Sequence, residues 1–308
     1  MKKRLQNRVA LSRWALPVTI VYGLAICLIV GMMEREQLST FVLLVVSSLM
    51  MAELNNSYSL IRIYSRMVSC SFLVMTSMCL RLFPSAEVVV VQLTFIAFLL
   101  LIWRAYQNPG AVGWVFYAFL ALGVSSIVFP KALLFVPVLW VVMGTNVLCL
   151  SARTLMASIL GLFTPYWFFA AWLFYTNDLG MLAGHFASVV SFQPLFQFNG
   201  IDIHHLVTFG FILLLAVIGA THFIIYSYQD RIRIRLIYES FIVLDACCVI
   251  FALLQPQHFN ELLGMAIVNT SPLIGHFLAL THSRLSNITS ISIALIAFAI
   301  TLFNLWPN

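Results

Sequence analysis

The chain has 308 residues, of which 62% are apolar and 8% charged, where a soluble domain carries about a quarter charged residues. That content excludes a soluble domain of ordinary size and makes the lipid bilayer the expected partner. The net charge of +6 does not point to nucleic acid, because the basic residues are spread over short loops rather than gathered on a phosphate-binding face.

Lys2, Lys3, Arg4, Arg8 and Arg13 precede the uncharged run Trp14–Met33. The run is too long for the apolar core of a cleaved leader, and Gly31–Glu34 offers no small-x-small cleavage site. A retained signal anchor with a cytoplasmic N-terminus is expected. The next apolar segments are Leu38–Ala52, Met67–Phe83, Val88–Trp103, Val112–Val128 and Ala132–Leu150. Leu155–Tyr175, Leu206–Tyr228, Leu236–Leu254, Leu262–Leu280 and Ile288–Leu305 follow. Lipid admits a spanning chain only as helices or closed barrels, and these lengths suit helices of roughly 20 residues. The expected fold is all-α: a polytopic transmembrane helix bundle of about eleven spans, forming one domain over residues 1–308.

Alternation along this ladder gives an orientation. Thirteen of the sixteen Lys and Arg residues fall on one side: the five N-terminal cations with Arg62, Arg66, Arg104, Arg153, Arg231, Arg233, Arg235 and Arg284. Arg35, Arg81 and Lys131 fall on the other. Positive-inside bias makes the first side cytoplasmic, and an odd number of spans places Trp306 to Asn308 in the periplasm. Trp103, Trp167, Trp172 and Trp306 lie near span ends, where belt aromatics collect. All six cysteines fall within apolar runs without metal-ligand spacing, so neither a disulfide framework nor a zinc site is expected.

One external segment, Asn177–His205, is longer than a turn. Its Phe, Leu and Val content predicts an interfacial helix around Met181–Phe192 and an irregular return through Pro194 and Gly200. Asp178, His185, Asp202, His204 and His205 in this segment have metal-ligand or acid–base types but no complete motif; solvating and capping the next helix is their commoner use. Glu34-Arg35-Glu36, after the first span, is an acidic pair of a kind that membrane glycosyltransferases carry, yet the loop is short and a charged turn is the commoner meaning.

Between Tyr106 and Tyr175 three stretches carry a resemblance: FYAFLALGVSSIVFP at 116–130, PVLW at 137–140 and RTLMASILGLFTPYW at 153–167. They resemble a family of multi-pass inner-membrane proteins from Bacteroidetes, a domain of unknown function. The resemblance covers under a quarter of the chain. It implies a Gram-negative inner membrane and brings no catalytic residue, substrate or cofactor. Within it, Ala157 and Gly161 form a small-xxx-small face for close helix approach. Pro165 is expected to kink its span, with Thr164 able to satisfy freed backbone groups. Phe129-Pro130-Lys131 reads as a tight outer turn.

Polar residues that the bilayer tolerates poorly cluster in the last third. Asp245 lies near the middle of Leu236–Leu254, where a charged Asp costs roughly 2.5–3.5 kcal/mol on insertion scales. Opposite it, Asn269, Thr270, Ser271 and Pro272 sit near the midpoint of the next span. Pro272 deprives one carbonyl of its partner, and a broken helix facing a midplane acid is how many transporters build a site. His222, Glu239 and His276 are expected to form a second layer nearer the cytoplasm, where a His–carboxylate pair could relay protons, although interfacial placement with Glu239 snorkelling toward Arg235 is the commoner meaning. No Walker loop, His-Glu-x-x-His or Gly-x-Ser-x-Gly is present in the sequence, and no cofactor is implied. The leading expectation is transport of a solute through a polar pocket in the last four spans. A non-catalytic subunit of an envelope assembly, with partners unspecified, and an enzyme acting on a lipid-linked sugar are the alternatives.

Overall fold

The computed structural model describes residues 4–34, 37–83, 85–192, 194 and 201–306. Lys2, Lys3, Arg35, Glu36, Gly200 and the terminal Pro307 and Asn308 lie outside them. Among the described residues there are thirteen α-helices, four 3-10 segments and no strand. The helices are α1 (Leu5–Ala10), α2 (Ala15–Val30), α3 (Leu38–Tyr58), α4 (Met67–Cys79), α5 (Ala86–Ile102), α6 (Val112–Val128) and α7 (Val136–Thr145). They continue with α8 (Ala152–Tyr175), α9 (Gly180–Val190), α10 (Ile203–Tyr226), α11 (Ile232–Leu254), α12 (Phe259–Leu280) and α13 (Arg284–Leu305).

Every expected apolar segment is helical, but the helices differ in reach. Seven, namely α3, α5, α8, α10, α11, α12 and α13 with their adjoining 3-10 turns, are long and apolar enough to cross a membrane. The chain is an integral membrane protein on that ground. The other four, α2, α4, α6 and α7, are shorter. The 13 residues of α4 rise only about 20 Å, less than the roughly 30 Å of a hydrocarbon core. Nearly all of α4 is buried against neighbouring helices, so it need not meet lipid along its length.

The loops sort into two ends. At one, Arg233 donates from Nη2 to the Trp103 carbonyl at 2.8 Å, and its guanidinium lies over Tyr58 and Tyr106. Gln107 donates its backbone N–H to Val147 O, and Arg104 covers the Trp114 ring. Helix α1 docks at this basic end too. Its buried Gln6 and Asn7 reach the Leu278 and Thr281 carbonyls, at 2.9 and 3.1 Å. At the opposite end, Arg81 reaches the Leu305 carbonyl at 2.9 Å, and Asn304 bonds both Met78 O and Thr208. Lys131 there is buried, donating to Ser191 O at 2.7 Å and lying over the Phe192 ring. The segment carrying α9 thus folds over the turn that holds Lys131, and a helix is present at Gly180–Val190, within two residues of the bounds expected for one.

Helix α12 is the hub, packed against α4, α5, α10 and α11. Its apolar window is 94% buried, against 22% for α13. Glycines let its backbone come close to its neighbours. A Cβ at Gly219 of α10 would lie 2.6 Å from the Leu273 carbonyl carbon, and one at Gly275 would lie 2.9 Å from the Val68 nitrogen on α4. The tightest pair is α6 with α8: a Cβ at Gly161 would meet Phe116 O at 2.3 Å, and one at Gly123 would meet Leu162 O at 2.5 Å. The small face at Ala157 and Gly161 therefore faces α6.

Two expectations need correction. Pro272 does not break α12, which stays helical from Phe259 to Leu280. Pro272 frees the Val268 carbonyl inside a helix that neighbours enclose along its length, while the Ser271 hydroxyl donates back to Ile267 O. Pro165, where a kink is expected, lies inside the continuous helix α8, with Thr164 donating to Leu160 O at 2.6 Å. Trp103 is not a belt residue. It is 1% exposed, capped by Arg233 and packed on Tyr106, whereas Trp167, Trp172 and Trp306 are indeed exposed.

Candidate functional site

The expected polar residues separate into two stations along α12. The first is at its middle. Thr270 donates to Asp245 Oδ2 at 3.1 Å, joining α12 to α11. Asp245 is 4% exposed, and its other oxygen, Oδ1, is a buried acceptor without a hydrogen bond. Asn269 approaches Cys248 Sγ at 4.0 Å and leaves its own Oδ1 equally unmatched. Ser271 turns back on its own helix. The station therefore consists of Asp245 and Thr270 in contact, Asn269 adjacent, and Ser271 apart.

The second station lies six residues further, about 9 Å at 1.5 Å per residue. His276 of α12 meets His222 of α10 with Nδ1 atoms 3.3 Å apart. Its Nε2 lies 3.0 Å from Asp230 Oδ2, a hydrogen-bonded contact whose side chains are both 1% exposed. With Nε2–H donating to Asp230, a neutral His276 accepts at Nδ1 from His222 Nδ1–H, so the three groups form one hydrogen-bonded file. Tyr238 and Phe223 pack edge-on against the His276 ring, at 5.0 and 5.6 Å. They shield the file from the bundle side.

Glu239 is not part of this layer. It sits on the exposed face of α11, and Asn146 Nδ2 approaches it at 3.4 Å. The reason is rotational. Ile234, Tyr238 and Phe241 turn toward the core, which leaves position 239 about 100° around the helix from Tyr238 and further still from the other two. Asp230 takes the expected role of Glu239, from the loop before α11.

Asp230 also lines a polar cavity of 520 Å³ between the α3–α4 loop and the α10–α11 loop. Asn55, Arg62, Arg66 and Arg231 share its wall. Asp230 Oδ1 and Asn55 Oδ1 are buried acceptors without a hydrogen bond. One carboxylate thus connects a basic, solvent-side chamber to a buried pair of imidazoles. Chemically the file, with both donors pointing toward Asp230, can pass a proton from His222 through His276 to Asp230 and the chamber without moving the backbone.

Sequence reasoning also missed a third polar contact on α12. Gln92 of α5 donates to Thr76 of α4 at 3.3 Å and to Gly264 O at 3.5 Å. Its signal was plain, a Gln inside an otherwise apolar run.

The external candidates do not converge. His185 is near Tyr166 Oη at 3.2 Å, and burial pulls its imidazole below the ordinary value. His204 stacks on Phe303 at 4.1 Å beside Asn304, and His205 packs on Phe259. Asp178 and Asp202 are exposed, Asp202 at the N-cap of α10. Among the described residues no group of three or more His, Cys, Asp or Glu is placed to hold a metal ion, and all six cysteines are free. No family model, curated protein or solved structure matches this chain.

Proposed function

We propose that this integral membrane protein transports a solute across a bacterial inner membrane, using the α10–α12 stations for substrate or coupling-ion binding. The proposed topology has eleven spans, a cytoplasmic N-terminus and a periplasmic C-terminus, with the Bacteroidetes resemblance at 116–167 as the cellular setting. One observation carries the reading: Asp230 lines a solvent-side chamber and also holds His276, so a buried ionisable file has an entrance. Asp245 and Thr270 lie one station deeper on the same hub helix. Ionisable residues at such depth are costly and commonly mark ion pathways.

A scaffold reading draws on a different observation. Asn304 with Thr208 and Met78, and Gln92 with Thr76, act as interhelical glue, and Asp245 with Thr270 has the same form. The two readings differ in whether water reaches the deeper station. In a background with the six native cysteines replaced, Thr270→Cys should react with a small water-soluble methanethiosulfonate, as the exposed control Asn56→Cys does. Modification of the control alone, at long exposure, would favour the scaffold and overturn transport.

A further inference from the structure

A second cavity has no part in that file. It measures 440 Å³ and lies between α2 and α13, with α4, α10 and α12 behind it. Val18, Val74, Leu215, Ile291 and Ala294 line it, and its wall is almost wholly apolar. Helix α1 closes it at the basic end through Leu5 and Val9. Toward the other end, a 2.6 Å hydrogen bond between Tyr22 and Thr301 ties α2 to α13.

We propose that this groove binds an acyl chain of an anionic phospholipid, whose phosphate headgroup rests against Arg8 and Arg13. Three observations select that occupant. The wall offers few polar partners for water, and a largely apolar void of this kind favours an apolar guest. A protein helix is about 10 Å across, so 440 Å³ would hold little more than one turn of it, whereas a flexible chain fits. Charge fixes the headgroup. Arg8 and Arg13 are exposed beside groove-lining Val9, Ser12 and Trp14, and no acidic residue precedes Glu34 in the sequence. Juxtamembrane Lys and Arg clusters attract anionic lipid by this means. Trp14, 75% exposed at the rim, has the amphipathic ring that settles at headgroup level.

Trp14 also supplies the readout. The full chain is reconstituted in phosphatidylcholine vesicles containing an equal mole fraction of either brominated phosphatidylglycerol or brominated phosphatidylcholine. Quenching at Trp14 is isolated by subtracting the Trp14→Phe protein. Severalfold stronger quenching by the phosphatidylglycerol is expected. The preference should vanish in Arg8→Gln/Arg13→Gln, and Ala294→Phe, which fills the groove, should weaken quenching by both lipids. Equal quenching by the two lipids in the unmodified chain would reduce the groove to ordinary annular contact and overturn the proposal. So would a preference that survives Arg8→Gln/Arg13→Gln, substitutions at exposed positions that leave the packing intact.

Discussion

At Asp245 a single hydroxyl, that of Thr270, supports a carboxyl that is otherwise enclosed. Asn at this position keeps the size and the hydrogen bond and removes only the charge. If the carboxyl binds a coupling ion, Asp245→Asn should accumulate normally and abolish the cellular phenotype of the gene, and Asp245→Leu should do the same. If it is glue, Asn should be nearly neutral, since such bonds average about 0.6 kcal/mol in a measured membrane protein. Complementation scored against protein level checks both, and full activity of Asp245→Leu would exclude either role. The depth of Asp245 and its contact with α12 were legible, because an acid amid nineteen span residues has few places to go. Asp230 was not. In sequence it stands beside Arg231, Arg233 and Arg235 and reads as part of a solvated loop, yet the loop turns inward and the carboxylate ends beneath His276. Its one sequence signal was being the sole acid in that basic stretch.

At the scale of helices, the α6–α8 pair depends on the absence of two side chains. Gly161→Ala must push a methyl group into Phe116 O, an overpacking that costs about 1–3 kcal/mol. Gly113, at the start of the same helix α6, has open space around it. Gly113→Ala should therefore leave the midpoint of thermal aggregation in detergent unchanged, while Gly161→Ala lowers it by several degrees. Equal midpoints would show that the close approach is not needed. Helix positions were legible from apolar run length, and α9 from its mixed composition. Helix continuity through Pro272 was not, because a proline removes one donor locally while neighbouring helices decide whether the helix breaks. The register of α11 was misread for a similar reason. Its apolar residues surround the helix, so periodicity did not say that Glu239 would face outward.

The whole molecule gathers most of its cations at one end, and that asymmetry predicts its orientation. A reporter active only in the periplasm should be active when fused after Asn308 and silent at Arg233. Activity at Arg233 would reverse the proposed topology. The centrality of α12 bears on how the chain is made. Asn269, Thr270, Ser271 and His276 make it a poor candidate for entering lipid alone. Four helices pack directly around it, α4, α5, α10 and α11, and all of them leave the ribosome earlier. The polar groups of α12 thus emerge when partners such as Asp245, His222 and Gln92 have already been synthesised. Insertion of the penultimate helix becomes a docking step into a waiting slot, and the N-terminal α1 covers its end through Gln6 and Asn7.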